Sequence, residues 1–136
     1  MGVKLSASYV GQKRVQVQHG PSGQILATDA PLDNNGKGES FSPTDLVAAA
    51  LGSCAMTMIS IVAEKKGINL EAMEMEVEKS MNDSPRRIQA LPVSIKLPSS
   101  LTADQRKLLE ASARSCPVAK SISEEIEAPI NFSYMD

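Results

Sequence analysis

From Leu46 to Ala63 the chain runs eighteen residues without a charge, and any fold it adopts must cover that segment. A helix apolar on every face is either a membrane span or the core helix of a packed protein, wrapped by sheet or by a second subunit. Eighteen residues only reach the lower limit for a span. Nine of them are alanine, glycine, serine or threonine, and a span would strand amphipathic, soluble-type strands on both of its sides. The expectation is a core helix and no membrane association. Its start is well marked, with Ser42 as N-cap, Pro43 at the first helical position and Asp45 placed to close a capping box. Lys65, Lys66 and Gly67 end it, cations near the negative pole and glycine at the C-cap.

The flanking segments read mainly as strands. Val3, Leu5, Ala7 and Tyr9 alternate, then Val15 and Val17, then Ile25 and Ala27, with turns at Gly11 and Gly20-Pro21-Ser22-Gly23. This predicts a three-strand meander. The stretch Asp33 to Gly38, rich in asparagine and glycine, is expected to stay mobile and to be available to cover a site. Beyond the helix, Met73, Met75 and Val77 alternate with Glu74, Glu76 and Glu78, and Val93, Ile95 and Leu97 repeat the pattern. These two strands are expected to form an antiparallel hairpin through a turn at Asp83-Ser84-Pro85, with Pro92 at a bulge or edge. Thr102 and Gln105 make a capping box for a helix to about Arg114, Pro117 restarts a helix, and Ile130, Phe132 and Tyr134 close the chain as a strand. The fold class is α+β, helices against antiparallel sheet, in one domain spanning 1–136.

A chain of 136 residues can bury a sizeable core without disulfide or metal staples. The net charge of −2 and pI near 5.4, with basic residues scattered and only Tyr9, Phe41, Phe132 and Tyr134 aromatic, argue against nucleic acid as a partner. The N-terminus lacks the charged-then-apolar layout of a signal peptide, which places the protein in the cytoplasm, where thiols stay reduced.

Against that background the two cysteines are informative, and they point to thiol redox chemistry. Cys54 lies three turns into the long helix, far from its N-terminal dipole. It acts as a nucleophile only if another segment brings a cation or hydrogen-bond donors; Arg14, Arg86, Arg87 and Arg114 are candidates. The bland alternative is a small buried hydrophobe in a tight helix packing. Cys116 precedes Pro117 and so occupies an N-cap, where free backbone N–H groups favour a thiolate; read locally, it is the lower-pKa thiol. Two cysteines and the single His19 offer three soft ligands with none at zinc-finger spacing, so no metal and no cofactor is expected. His19, beside Gly20-Pro21, reads as a surface turn residue. The Glu74, Glu76 and Glu78 row reads as a solvated strand face.

Taken with their contexts, Ser42-Pro43, Leu46, Ala48 to Ala50, Gly52 and Cys54, followed by Cys116-Pro117-Val118, the cysteines give the chain a resemblance to the OsmC/Ohr family that covers nearly its whole length. The resemblance implies an intertwined homodimer with two long helices buried centrally. It also implies thiol peroxidase activity toward organic hydroperoxides. Carried over by position, Cys54 attacks the peroxide and becomes a sulfenic acid, Cys116 resolves it as a disulfide, and a thiol reductant regenerates the pair.

Family peroxidases bring an arginine to the first cysteine, for which Arg14, after Gly11-Gln12-Lys13, is the nearest match. They orient it with a glutamate directly after the helix proline. Here that position is Thr44, with the neighbouring acid at Asp45. Two readings therefore stand: a hydroperoxide reductase using Cys54, Cys116, Arg14 and Asp45, or a non-peroxidase member of the same fold, a small-ligand-binding or stress-related redox protein.

Overall fold

The computed structural model describes residues 2–135. Their contacts divide the chain into two compact units, Met1–Val47 and Ala48–Asp136.

The first unit is the expected meander, β1 (Leu5–Gly11), β2 (Arg14–His19) and β3 (Ile25–Asp29), antiparallel in the order β1-β2-β3. Gly11, Gln12 and Lys13 turn the first hairpin with positive φ throughout, and the register sets Tyr9 opposite Val15 and Arg14 opposite Asp29. Alternation implies one covered face, yet Leu5 (64%), Tyr9 (68%) and Ile25 (52%) are all exposed. The buried positions here are polar: Thr28, Asp29 and Ser42.

The stretch expected to be mobile is instead stitched to its own start. Leu32–Asn34 forms a 3₁₀ turn, the N–H groups of Asn34 and Gly36 both donate to the Pro31 carbonyl at 3.0 Å, and Gly38 N–H donates to Ala30 O at 3.1 Å. A Cβ at position 36 would overlap the Ala30 carbonyl, so glycine is what lets the chain pass there.

Helix α1 (Pro43–Lys65) begins and ends as its sequence dictates. Ser42 N–H donates to Asp45 Oδ2 at 2.9 Å, and Asp45 N–H donates to Ser42 Oγ at 3.1 Å, a reciprocal cap. At the far end Gly67, at φ +66°, donates to Glu64 O while Ile68 donates to Ala63 O, which is the Schellman arrangement. The hydroxyls of Ser53, Thr57 and Ser60 donate to carbonyls of the preceding turn, so the helix carries them without an outside polar partner. By length and hydropathy it resembles a membrane span, a test that core helices also pass. Its buried residues, Ala48, Leu51, Gly52, Ala55, Ile59 and Ala63, form one stripe, and Ile61 remains exposed. The burial expected on every face is thus found on one face of the single chain.

In the second unit β4 (Glu74–Val77) pairs antiparallel with β7 (Val93–Pro98), Met75 opposite Ile95 and Val77 opposite Val93. The pairing is as expected, but the connection is not a simple hairpin. A separate two-stranded ribbon, β5 (Ser80–Asp83) and β6 (Arg86–Ala90), stands between them, and the Ser84-Pro85 turn belongs to it. Pro92 lies outside the strands. The last strand, β8 (Ile130–Met135), adds to β7 in parallel, a departure from the all-antiparallel expectation. Parallel pairing requires a crossover. Helices α2 (Ala103–Arg114) and α3 (Pro117–Ser121) lie in that connection, and α2 starts on the Thr102/Gln105 capping box. Leu51, Ile59, Leu91, Val93, Ile95, Leu97, Leu109 and Cys116 are the fully buried centre of this unit.

Candidate active site

Cys54 is carried by the middle of α1 and Cys116 by the junction of α2 and α3, and the fold brings the two thiols against each other. Both are free. Cys54 is partly exposed and Cys116 has no exposure at all. Cys116 is indeed the N-cap of α3, with Sγ accepting from the Ala119 N–H at 3.4 Å. The lowered pKa read from that position is nevertheless overturned. Burial pushes the Cys116 thiol upward and outweighs the Ala119 N–H, and the Cys54 side chain, through a hydrogen bond and its charge, pushes the same way. A helix of five residues has too few aligned peptides to offset full desolvation. Cys116 is therefore held as a thiol beside the more accessible Cys54.

The arginines divide by role. In the second unit Arg114 donates to Ile130 O, pairs with Glu110 and stacks over the Phe132 ring at 5.0 Å. Arg87 donates to Ile88 O and pairs with Glu125. Both tie structure together.

Arg14, in the first unit, is held at one nitrogen. Its Nη2 meets Asp29 Oδ2 at 3.5 Å and forms a shorter bond to Glu39 Oε1. The Glu39 N–H donates to the same Asp29 oxygen at 3.0 Å. That N–H, followed by Arg14, holds the Asp29 carboxyl below its ordinary range against the opposing effect of burial. Asp45, the acid singled out beside Thr44, has its carboxylate on the Ser42 N–H, and the Thr44 hydroxyl lies 3.2 Å from Ser42 Oγ.

Sequence reasoning missed Asp29 and Glu39. The signal for Asp29 was present: counting back from the Gly20–Gly23 turn sets Arg14 and Asp29 opposite each other, and opposite charges at a cross-strand pair attract. For Glu39, brought in by the folded 30–38 loop, no local signal existed. His19 behaves as expected, closing its turn by accepting from the Ser22 N–H at 3.3 Å, and no cluster of His, Cys, Asp or Glu suited to a metal occurs among the described residues.

The family model for OsmC-like proteins matches residues 36–131. Among solved structures, a Psychrobacter arcticus protein named for a proposed osmotic-stress-induced and detoxification response is 37% identical over 98% of both chains, with a TM-score of 0.91. An organic hydroperoxide resistance protein OsmC from Legionella pneumophila is 22% identical, covering 98% of this chain and 97% of its own, with a TM-score of 0.78. The organic hydroperoxide resistance protein OhrB of Bacillus subtilis is 16% identical over 98% of both chains at 0.67. These last two share the fold. No curated protein matches the sequence.

Proposed function

The chain belongs to the OsmC-like protein family, and from that membership we propose that it is a cysteine-based peroxidase reducing organic hydroperoxides. The observation that carries the reading is the meeting of a partly exposed Cys54 with a buried, protonated Cys116. In the reaction the Cys54 thiolate attacks the outer peroxide oxygen. The O–O bond breaks, and the alkoxide leaves and takes a proton to become the alcohol, with Cys54 left as a sulfenic acid. Cys116, losing its proton, then displaces the hydroxyl as water and forms the disulfide. A dithiol or reductase protein donates two electrons and two protons to restore both thiols. Arg14, the nearest match in sequence to the arginine of family peroxidases, is assigned as the cation for this chemistry. Asp45, the acid nearest the family's glutamate position, is assigned to the same machinery through its hold on the start of the Cys54 helix.

The working form is a homodimer in the cytoplasm. Only a third of the most apolar window of α1 is buried in the single chain, and Leu5, Tyr9, Ile25 and Phe41 are exposed. A second copy is the cover these surfaces call for. The second reading, a ligand-binding protein without peroxidase activity, draws on Thr44 standing where family peroxidases carry glutamate.

The deciding experiment counts free thiols on the reduced protein before and after one equivalent of cumene hydroperoxide, with hydrogen peroxide in parallel. Loss of two thiols per chain within seconds, faster with the organic peroxide, is expected. Two thiols still free after minutes would overturn the peroxidase reading and leave the second.

A further inference from the structure

Two helices flank Cys116, and they hold it unequally. Helix α3, which follows it, has no buried residue, so packing does not fix the cysteine from that side. Helix α2, which precedes it, buries Leu109, Ser112 and Ala113 and carries Arg114 two residues before the thiol. The end of α2 is capped from within, the Ser115 N–H and hydroxyl both donating to Ser112 O at 3.2 and 2.9 Å. The Arg114 side chain reaches β8 instead. Its Nη2 donates to Ile130 O at 3.2 Å, its guanidinium carbon lies 5.0 Å from the centre of the Phe132 ring, and Nη1 is 3.8 Å from Glu110 Oε1. The other oxygen of that carboxylate, Oε2, accepts from the Tyr134 hydroxyl. An ion pair as exposed as this one contributes little alone. Joined to a backbone carbonyl, a ring face and a carboxylate shared with the same strand, it fixes the direction of the arginine.

We infer that Arg114, held by Glu110, is a positioning residue for Cys116: it pins the last turn of α2 to β8 and so keeps the buried thiol against Cys54. The inference deepens the peroxidase reading and rests on it for the effect on turnover. In the resolving step the Cys116 thiol gives up its proton and its sulfur bonds to the Cys54 sulfur. The S–O bond of the sulfenic acid breaks, and the hydroxide leaves with that proton as water. The step is intramolecular, so its rate depends on how closely the two sulfurs are held. Attack of Cys54 on the peroxide does not involve Cys116. Releasing the anchor therefore slows the second step and spares the first.

The test adds one equivalent of cumene hydroperoxide to the reduced full-length protein with dimedone present, and reads the Cys54 peptide by mass as dimedone adduct or as disulfide. The wild type is expected to close the disulfide ahead of dimedone. Arg114→Ala is expected to raise the ratio of adduct to disulfide about tenfold while consuming the first equivalent of peroxide at the wild-type rate. Glu110→Gln is expected to raise the ratio about threefold. Arg114→Lys, which keeps a cation and donors without the planar ring contact, is expected to fall between Arg114→Ala and wild type. A second arm omits peroxide and measures N-ethylmaleimide labelling of Cys116 in the native reduced protein. There Arg114→Ala is expected to label about tenfold faster than wild type, and faster than its unfolding equilibrium in urea allows.

Arg114→Ala with the wild-type ratio, or with peroxide consumption slowed as much as disulfide closure, overturns the inference; the contacts then only pack α2 on β8. If the wild type leaves cumene hydroperoxide intact, the peroxidase reading falls and the labelling arm decides alone. Faster labelling of Cys116 then upholds the anchor, and equal labelling overturns it. Should Arg114→Ala fail to fold, Arg114→Lys and Glu110→Gln carry both arms.

Discussion

Cys116 is sealed from solvent against Cys54, and burial rather than its N-cap position governs its ionisation. The folded state thus holds a proton on Cys116 that the unfolded chain releases near the ordinary thiol value of 9.0. A group whose folded pKa is raised adds stability that is complete below the unfolded value and is lost as pH rises through the folded one. The urea midpoint of the reduced protein is therefore expected to fall as pH rises above the unfolded thiol value of 9.0. In Cys116→Ala the fall is shallower. Equal slopes for the two proteins would show that the thiol does not sense its burial.

At the start of α1 the Ser42 and Asp45 side chains satisfy one another's backbone N–H groups. Replacing Ser42 with alanine removes the acceptor for the Asp45 N–H in a buried position, and about 1–2 kcal/mol of stability should go with it. Asp45→Asn keeps a side-chain oxygen for the Ser42 N–H and gives up the favourable charge at the helix N-terminus, about 0.5 kcal/mol. Denaturant midpoints of the two variants, taken at one pH, check the order. An Asp45→Asn loss as large as that of Ser42→Ala would show that Asp45 does more than cap.

Those caps also mark the boundary of what the sequence made legible. Helix ends, the Thr102 box, the Cys116 N-cap and the antiparallel pairing of the Met75 and Ile95 strands follow from local chemistry and period, and each is found where read. The β5–β6 ribbon was missed because Ser80-Met81-Asn82-Asp83 has no alternation to betray a strand. The direction of β8 was missed because its pattern is the same whether it runs with β7 or against it; only the crossover decides. The ionisation of Cys116 was inverted because a five-residue helix start is visible in sequence and full burial is not. Asp29 was legible beside Arg14 by counting back from the Gly20–Gly23 turn and was overlooked, whereas Glu39 came through a folded loop, which is a tertiary fact.

The packing of α2 on β8 supplies a spectroscopic test. Tyr134 donates a short hydrogen bond to Glu110 Oε2, and Arg106 lies over its ring at 4.0 Å while donating to the Ser99 and Leu101 carbonyls. Burial first, then the Glu110 carboxylate, pushes the phenol up to about 12, with the two nearby arginines opposing. In an alkaline titration followed by phenolate absorbance, Tyr134→Phe is expected to lose the component that ionises last. The same variant gives up a hydrogen bond to a charged acceptor and should be about 1.5 kcal/mol less stable. If the component lost ionises near the ordinary tyrosine value, the Glu110 contact is absent in solution.

Gly52, two residues before Cys54, lies under the Met75 side chain of β4. A Cβ there would lie 2.6 Å from the Met75 sulfur. Two opposed effects set the outcome of Gly52→Ala. Alanine in a helix interior is worth about 1 kcal/mol over glycine, and forcing a methyl into a filled space costs about 1–3 kcal/mol. The obstructing atoms are the end of a flexible side chain that can turn aside, so the net loss should fall between nothing and about 2 kcal/mol. Removing the obstruction gives a definite sign. In a Met75→Ala background, Gly52→Ala has only the propensity gain left and should stabilise by about 1 kcal/mol, so the double-mutant cycle shows favourable coupling of at least about 1 kcal/mol. Denaturant midpoints of the four proteins measure it. Additive effects across the cycle would mean that the methionine does not fill the space over Gly52, and that the spacing of the Cys54 helix from β4 is set elsewhere.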